Sequence, residues 1–192
     1  LRSDALPQAL RERFLERAEL ESERLVRLLE DLTVDVQPPR YRSLALADIT
    51  ARALGLVGRT FAEHGVSLRQ ELGVATVWAD ADKLLQVLIN LLENAAVHGP
   101  DHHPVTLLAE VCPERPDYAA LRVRDEGRPL EAKSIEKLFE PHARGPWVKA
   151  KGTGLGLYIV RSIAERWGGE AWGRPLGTGN EFGVSVPLRP GV

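Results

Sequence analysis

The chain has 192 residues, of which 44% are hydrophobic and 27% charged, and its formal net charge is −2. This size and composition are typical of one globular domain, or of one domain with a helical appendage. The single cysteine, Cys112, excludes an internal disulfide framework, and the lack of a basic excess disfavours a nucleic-acid binder. No apolar run reaches the roughly 18 residues that a membrane helix needs, so we expect a cytoplasmic domain. Because the chain starts at Leu1 and contains no methionine, we also expect it to be a piece of a longer protein.

Residues 6–34 are predicted to form one long helix that ends before Pro38-Pro39. Small or apolar side chains recur every three or four positions along one of its faces, namely Leu15, Ala18, Ser22, Leu25, Leu29 and Leu32. Such a face needs a partner, which favours a helical bundle; the alternative is a helix that packs on its own domain. We therefore divide the chain into residues 1–38 and residues 39–192.

The second segment mixes helices and strands. Helices are predicted at about 46–63, 80–98, 131–139 and 155–167, and strands at 66–72, 75–78, 105–111, 119–125 and 182–188. The order lacks strict β-α-β alternation. It therefore predicts an α+β fold, a two-layer sandwich with helices on one face of a mixed β-sheet, preceded by the long helix.

Polar side chains follow one face of the helix that starts at Asp80. The buried stripe of this helix is predicted to be Leu84, Leu88, Leu91 and Ala95. Another face carries Gln86, Asn90, Asn94 and His98 at intervals of four. Asparagine is a mediocre helix former, so two in mid-helix favour a functional role; an ordinary solvated face is the alternative.

Asp125 stands at the end of a predicted strand, in phase with Leu121 and Val123, so its carboxylate should point to the buried side. A buried carboxylate needs a donor, which can be the amino group of a nucleobase or a structural partner. Further on, glycines alternate at 152, 154 and 156 directly before a helix. They let the backbone approach a ligand, and the helix start favours anions, although glycine-rich turns are common.

In their order and spacing these motifs resemble the histidine-kinase branch of the ATPases that also include gyrase, mismatch-repair proteins and a heat-shock chaperone. The resemblance covers about residues 40–190. The stretch from Asp80 to Ala95 is similar to the asparagine box of that family, and Asp125-Glu126-Gly127 to its first glycine box. Residues 138–141 resemble the phenylalanine box, residues 152–157 the second glycine box, and residues 23–32 the second helix of the dimerisation hairpin.

The resemblance implies an ATP-binding catalytic domain over residues 39–192, and an incomplete dimerisation and phosphoacceptor hairpin over residues 1–38. Asn94 would bind the Mg²⁺ that bridges the ATP phosphates, Asn90 would assist at the metal, and Glu93 would help the chemistry of the acceptor. Asp125 would accept a hydrogen bond from the adenine amino group. The remaining nucleotide contacts would come from Gly127, Arg144, Lys151, Gly152, Thr153, Gly154, Leu155, Gly156 and Leu157, with residues 128–151 forming a lid.

Hydrolytic members of the superfamily carry a glutamate four residues before the metal-binding asparagine. Here that residue is Asn90, a poor general base, which favours transfer to a histidine over hydrolysis. None of the histidines at 64, 98, 102, 103 and 142 lies in the family's acceptor pattern, so the acceptor helix is expected to be missing. A metal site at His102-His103 is a minor alternative.

Two positions depart from the family pattern. Val97 stands where the family usually has a phosphate-binding Lys or Arg, and Pro129 where it usually has a second glycine. Three alternative functions therefore remain: a nucleotide-binding signalling module with weak or no kinase activity, a hydrolytic ATPase, and a dimerisation scaffold. The partners implied are ATP, the acceptor helix and a response-regulator receiver domain. The full-length protein would be a homodimer that can be membrane-anchored, and this chain would be mostly monomeric.

Overall fold

The structure is a computed structural model, and it describes residues 39–141, 143 and 154–191. The predicted helix over 6–34 and the segment 1–38 lie outside the described residues. Within the described ranges, no helix is both long and apolar enough to span a bilayer.

Seven strands and four helices follow one another along the described part of the chain. In chain order they are β1 (Tyr41–Ala45), α1 (Leu46–His64), β2 (Ser67–Leu72), β3 (Thr76–Asp80), α2 (Ala81–His98), β4 (Pro104–Cys112), β5 (Arg115–Asp125), α3 (Ala132–Lys137), α4 (Gly156–Arg166), β6 (Ala171–Pro175) and β7 (Asn180–Pro187). The main sheet has the strand order β2-β4-β5-β7-β6, and β1 pairs with β3 in a separate two-stranded sheet. Only β2 and β4 run parallel in the main sheet, which makes it a mixed sheet.

The ends of the two long helices are set by their capping residues. The carboxylate of Asp80 caps α2, because its Oδ1 accepts hydrogen bonds from the backbone N–H groups of Asp82 at 3.0 Å and Lys83 at 3.2 Å. Helix α1 ends at Gly65, whose φ of 62° is left-handed and costs a glycine little. Both boundaries agree with the sequence prediction.

The core lies between one face of the main sheet and the helices that cover it. Leu84, Leu88, Leu91 and Ala95 form the buried stripe of α2, as predicted. Leu107 and Leu121 from the sheet belong to the same cluster. Burying a leucine side chain contributes roughly 1.5–3 kcal/mol, so this stripe fixes α2 on the sheet and thereby fixes its polar face.

The predicted fold class is confirmed: a mixed sheet is covered by helices on one face. Two strands were not predicted. In β1 only Leu44 is buried, so the strand shows no alternation of apolar and polar residues. The edge strand β6 contains Gly173 and Pro175, which are unusual inside strands, so its sequence did not predict a strand.

Candidate functional site

Helix α2 carries three of the predicted site residues. Asn90, Glu93 and Asn94 are each partly buried. Asn90 and Asn94 are one helical turn apart and therefore lie on the same side of α2. Glu93 is next to Asn94 in sequence and projects about 100° around the helix from it.

The start of α4 lies against this face of α2. A Cβ atom added to Gly156 would lie 3.2 Å from the Oδ1 atom of Asn90. Gly154 has a φ of 70°, and the side chains of Leu155 and Leu157 are buried in the domain. The leucines therefore anchor the start of α4, and the glycine allows its backbone to approach Asn90. The first N–H groups of a helix have no partner within it and favour an anion.

Asp125 ends β5 and is 5% exposed, as its phase in the strand predicted. Its Oδ1 atom accepts hydrogen bonds from the backbone N–H of Gly127 at 2.7 Å and from Nδ2 of Asn180 at 3.2 Å. The pKa of Asp125 is raised, because burial outweighs these hydrogen bonds and the nearby His98, which act to lower it. The carboxylate is thus held in place by donors within the chain, beside His98, whose own pKa is lowered by burial.

The end of α2 meets the end of β5. A Cβ added to Gly99 would lie 3.2 Å from the Cβ of Asp125. One added to Gly127 would lie 2.8 Å from Oδ1 of Asp125 and 3.3 Å from the backbone oxygen of His98. Larger side chains at these two positions would push Asp125 away from α2.

Asn90, Asn94 and Asp125 therefore lie along one path. Asn90 is eight residues before His98 on α2, a distance of about 12 Å along the helix at about 1.5 Å per residue. One end of the path has amide oxygens and the start of α4. The other end has a buried carboxylate. The carboxylate end offers a hydrogen-bond acceptor for a base. The end with the amide oxygens and the start of α4 offers contacts for a metal and phosphates.

Sequence reasoning missed Asn180 and Gly179, which lie where β7 begins beside Asp125. Gly179 has a φ of 88°, and an added Cβ would lie 1.8 Å from the backbone oxygen of Asp125. The Gly177-Thr178-Gly179-Asn180 turn before the alternating strand was the only signal that could have pointed to them.

The phenylalanine-box residue Phe139 is buried, with its ring centroid 6.2 Å from that of Phe182. The guanidinium of Arg161 lies 4.4 Å from the centre of the Phe139 ring. The predicted contacts Arg144, Lys151, Gly152 and Thr153 lie outside the described residues, so their roles remain predictions.

The two adjacent histidines, His102 and His103, make separate contacts. His103 Nδ1 lies 2.9 Å from Oε2 of Glu126. The backbone N–H of His102 donates a hydrogen bond of 2.9 Å to the backbone oxygen of His64. Among the residues that the structure describes, no group of three or more His, Cys, Asp or Glu side chains could hold a metal ion.

Residues 79–190 match the family described as histidine kinase-, DNA gyrase B- and HSP90-like ATPases. The sensor histidine kinase ZraS of Klebsiella oxytoca is 33% identical over 154 residues, which are 78% of this chain and 32% of that protein. The chain spans about a third of the length of the curated relatives ZraS and IrlS that it matches.

Solved structures agree with this match. The nucleotide-free catalytic domain of the histidine kinase ThkA is 26% identical, with a TM-score of 0.68 over 78% of this chain and 96% of that chain. ThkA in complex with the response regulator protein TrrA shares the fold, with 21% identity and a TM-score of 0.67 over 97% of this chain and 53% of that chain. The chain belongs to the family of histidine kinase-, DNA gyrase B- and HSP90-like ATPases, and its catalytic ATP-binding domain is of the sensor histidine kinase type.

Proposed function

We propose that this domain binds ATP together with Mg²⁺ and transfers the γ-phosphoryl group to a histidine on a separate helix, for relay to a response regulator. The observation that carries the proposal is the path along α2. Asn90 of this helix lies beside the start of α4, and the C-terminal end of the helix abuts the buried carboxylate of Asp125. The span of about 12 Å suits a nucleotide that lies along the helix.

Asp125 would recognise the base. The adenine amino group is a donor, and a fixed, buried carboxylate is an acceptor whose hydrogen bonds are strong because it is charged. Guanine has a carbonyl oxygen at the same position, and this oxygen would meet the carboxylate without a proton between them. Gly127 supports this role, since its missing side chain leaves room beside Oδ1 of Asp125.

Asn90 and Asn94 would hold Mg²⁺ through their amide oxygens. These oxygens are hard ligands of the kind that Mg²⁺ accepts, but both are neutral. With no acidic cluster among the described residues, the negative charge for the metal would come from the ATP phosphates. The metal would thus bind with the nucleotide, and when bound it would neutralise charge on the phosphates during transfer.

The residue at position 90 favours transfer over hydrolysis. In the hydrolytic relatives, a glutamate at this position activates water, whereas the carboxamide of Asn90 cannot remove a proton from water at ordinary pH. Glu93 would assist the acceptor histidine from the neighbouring turn of the helix. The TrrA complex of ThkA supports a response regulator as the downstream partner.

A nucleotide-binding module with weak or no kinase activity is the second candidate. It is favoured by Val97, which offers the phosphates no positive charge where relatives usually carry a cation. Phosphoryl transfer to an acceptor helix distinguishes the two functions.

Isothermal titration of the chain with ATP and with GTP, with and without Mg²⁺, tests the binding step. We expect Mg²⁺-dependent binding that prefers ATP, and we expect Asp125→Asn to weaken ATP about tenfold or more. The new amide would direct a donor at the adenine amino group, and losing a hydrogen bond to a charged group costs roughly 1.5–3 kcal/mol.

Asp48→Asn provides the matched control. It removes the same charge as Asp125→Asn, at an exposed position in the first turn of α1. This variant should bind ATP as the unaltered chain does. Equal affinity for ATP and GTP in the unaltered chain would contradict the assignment of Asp125 to the base.

A further inference from the structure

We infer that Asn180 is a positioning residue for base recognition, because it fixes both the carboxylate of Asp125 and the backbone on either side of Pro129. The inference rests on the proposed function, since it concerns the same adenine site. Among the described residues that are assigned to the phosphates or the metal, none is a hydrogen-bond partner of the Asn180 side chain, so it would act through Asp125.

Asn180 is 6% exposed, and its side chain makes three hydrogen bonds to Asp125 and the loop that follows it. Nδ2 donates to Oδ1 of Asp125 at 3.2 Å and to the backbone oxygen of Arg128 at 3.1 Å. Oδ1 accepts from the backbone N–H of Leu130 at 2.8 Å. These partners also fix the orientation of the carboxamide, because an N–H must face an oxygen and an oxygen must face an N–H.

Two of these hydrogen bonds go to Arg128 and Leu130, the residues on either side of Pro129. Proline has no backbone N–H, so it cannot secure this loop by donating a hydrogen bond. Asn180 instead binds the oxygen before it and the N–H after it. A single side chain from β7 therefore sets the path by which the chain leaves Asp125 and Gly127.

Asn180 and Gly127 both donate to the same oxygen of Asp125, which fixes the plane of the carboxylate. A fixed acceptor distinguishes a base with an amino group from one with a carbonyl group better than an acceptor that can rotate. Without Asn180, the carboxylate would lose one of the donors that stabilise its charge, in a buried place where that charge is costly. Base discrimination should therefore depend on Asn180, beyond any effect on the stability of the fold.

The test compares the affinities of the Mg²⁺ complexes of ATP and inosine triphosphate by isothermal titration. The two nucleotides share sugar and phosphates and differ at the position of the amino group, where inosine carries a carbonyl. The unaltered chain should bind ATP about tenfold or more tightly than inosine triphosphate. In Asn180→Ala this ratio should fall about fivefold, mostly through weaker ATP binding. Thr178→Ala, an exposed position in the same turn, should keep the ratio.

Asn180→Thr is measured in parallel, with the melting temperature of each variant followed by circular dichroism. Its hydroxyl is too short to reach both Arg128 and Leu130, so the ratio should fall here too, by a smaller factor. A ratio that stays unchanged while both affinities fall together would assign Asn180 a purely structural role and overturn the inference. Unfolding of both variants would overturn it for the same reason. Absence of ATP binding by the unaltered chain would instead refute the proposed function itself.

Discussion

At the residue scale, Val97 is the position where the site lacks the positive charge that the family usually carries. It lies three residues after Asn94, about 60° away around α2, and is partly buried without belonging to the core cluster. A lysine at this position would extend along the helix surface and bring an ammonium group to the predicted phosphate site. Val97→Lys should therefore tighten ATP by about 1 kcal/mol, or about fivefold, and leave adenosine binding nearly unchanged.

The same substitution at Val111 is the matched control for this variant. Val111 is 49% exposed near the end of β4, and its partner in the sheet, Ala119, lies six residues before Asp125. Val111→Lys adds the same charge about 20 Å from the site, at about 3.3 Å per residue, and should leave the affinity for ATP unchanged. A lower melting temperature of Val97→Lys with no gain in affinity would show that Val97 has a packing role and would contradict the prediction.

Asp125 and Asn180 show what the sequence can and cannot reveal about single residues. The alternation of Leu121, Val123 and Asp125 placed the carboxylate on the buried side of the sheet, and the structure agrees. Asn180 follows a glycine-rich turn, where asparagine is common for local reasons. Its partners Asp125 and Leu130 are 55 and 50 residues away in the chain. No local pattern encodes such contacts.

At the element scale, the site depends on how closely β5 and β7 approach each other at Asp125. These strands pair from Tyr118 and Pro187 to Asp125 and Asn180, so the pairing ends at the site. Gly179, just before β7, has a φ of 88°, and an added Cβ would lie 1.8 Å from the backbone oxygen of Asp125. No flexible side chain can relieve this overlap, because the atom it meets belongs to the backbone.

Gly179→Ala should therefore separate the ends of β5 and β7. The left-handed φ alone costs about 1–3 kcal/mol for a residue with a side chain, and the overlap adds to it. We expect a loss of at least about 2 kcal/mol in the free energy of unfolding, seen as a melting temperature lower by about 5 °C or more. Gly177→Ala changes the same turn where an added Cβ meets nothing within 4 Å, and it should be nearly neutral. Similar melting temperatures for the two variants would contradict this interpretation.

The edge strand β6 shows why some elements could not be predicted. Its sequence, Ala-Trp-Gly-Arg-Pro, has little strand character of its own. It is held by β7, where Arg174 pairs with Glu181, a carboxylate that is fully buried. Oε1 of Glu181 lies 2.7 Å from Nη2 of Arg174, and Oε2 lies 2.7 Å from Nε of Arg124. Tertiary contacts with a distant strand therefore determine this element, and the local sequence does not.

At the scale of the whole molecule, the α+β class and the order of the motifs could be predicted, because the helix and strand periodicities are strong between residues 46 and 125. The way in which this domain meets an acceptor could not be predicted, since no local sequence pattern encodes contacts with another helix. We expect a fragment that carries an acceptor helix to be the substrate of this chain. Two of the chain's own histidines, His64 and His103, are hydrogen-bonded to Asp101 at 2.7 Å and to Glu126 at 2.9 Å.

Incubation with radiolabelled ATP and Mg²⁺ should therefore leave the chain itself unlabelled. None of its five histidines lies in the family's acceptor pattern, and phosphoryl transfer requires the acceptor nitrogen to be positioned close to the γ-phosphate. Adding the acceptor-helix fragment should produce acid-labile phosphate on that fragment. The label is detected by electrophoresis under neutral conditions. Asn94→Ala should abolish this labelling by removing the proposed Mg²⁺ ligand, while Asp48→Asn should not. Stable phosphohistidine at His64, His98 or His142 of the isolated chain would contradict the prediction. ATP binding without transfer to the fragment would instead favour the nucleotide-binding module over the kinase.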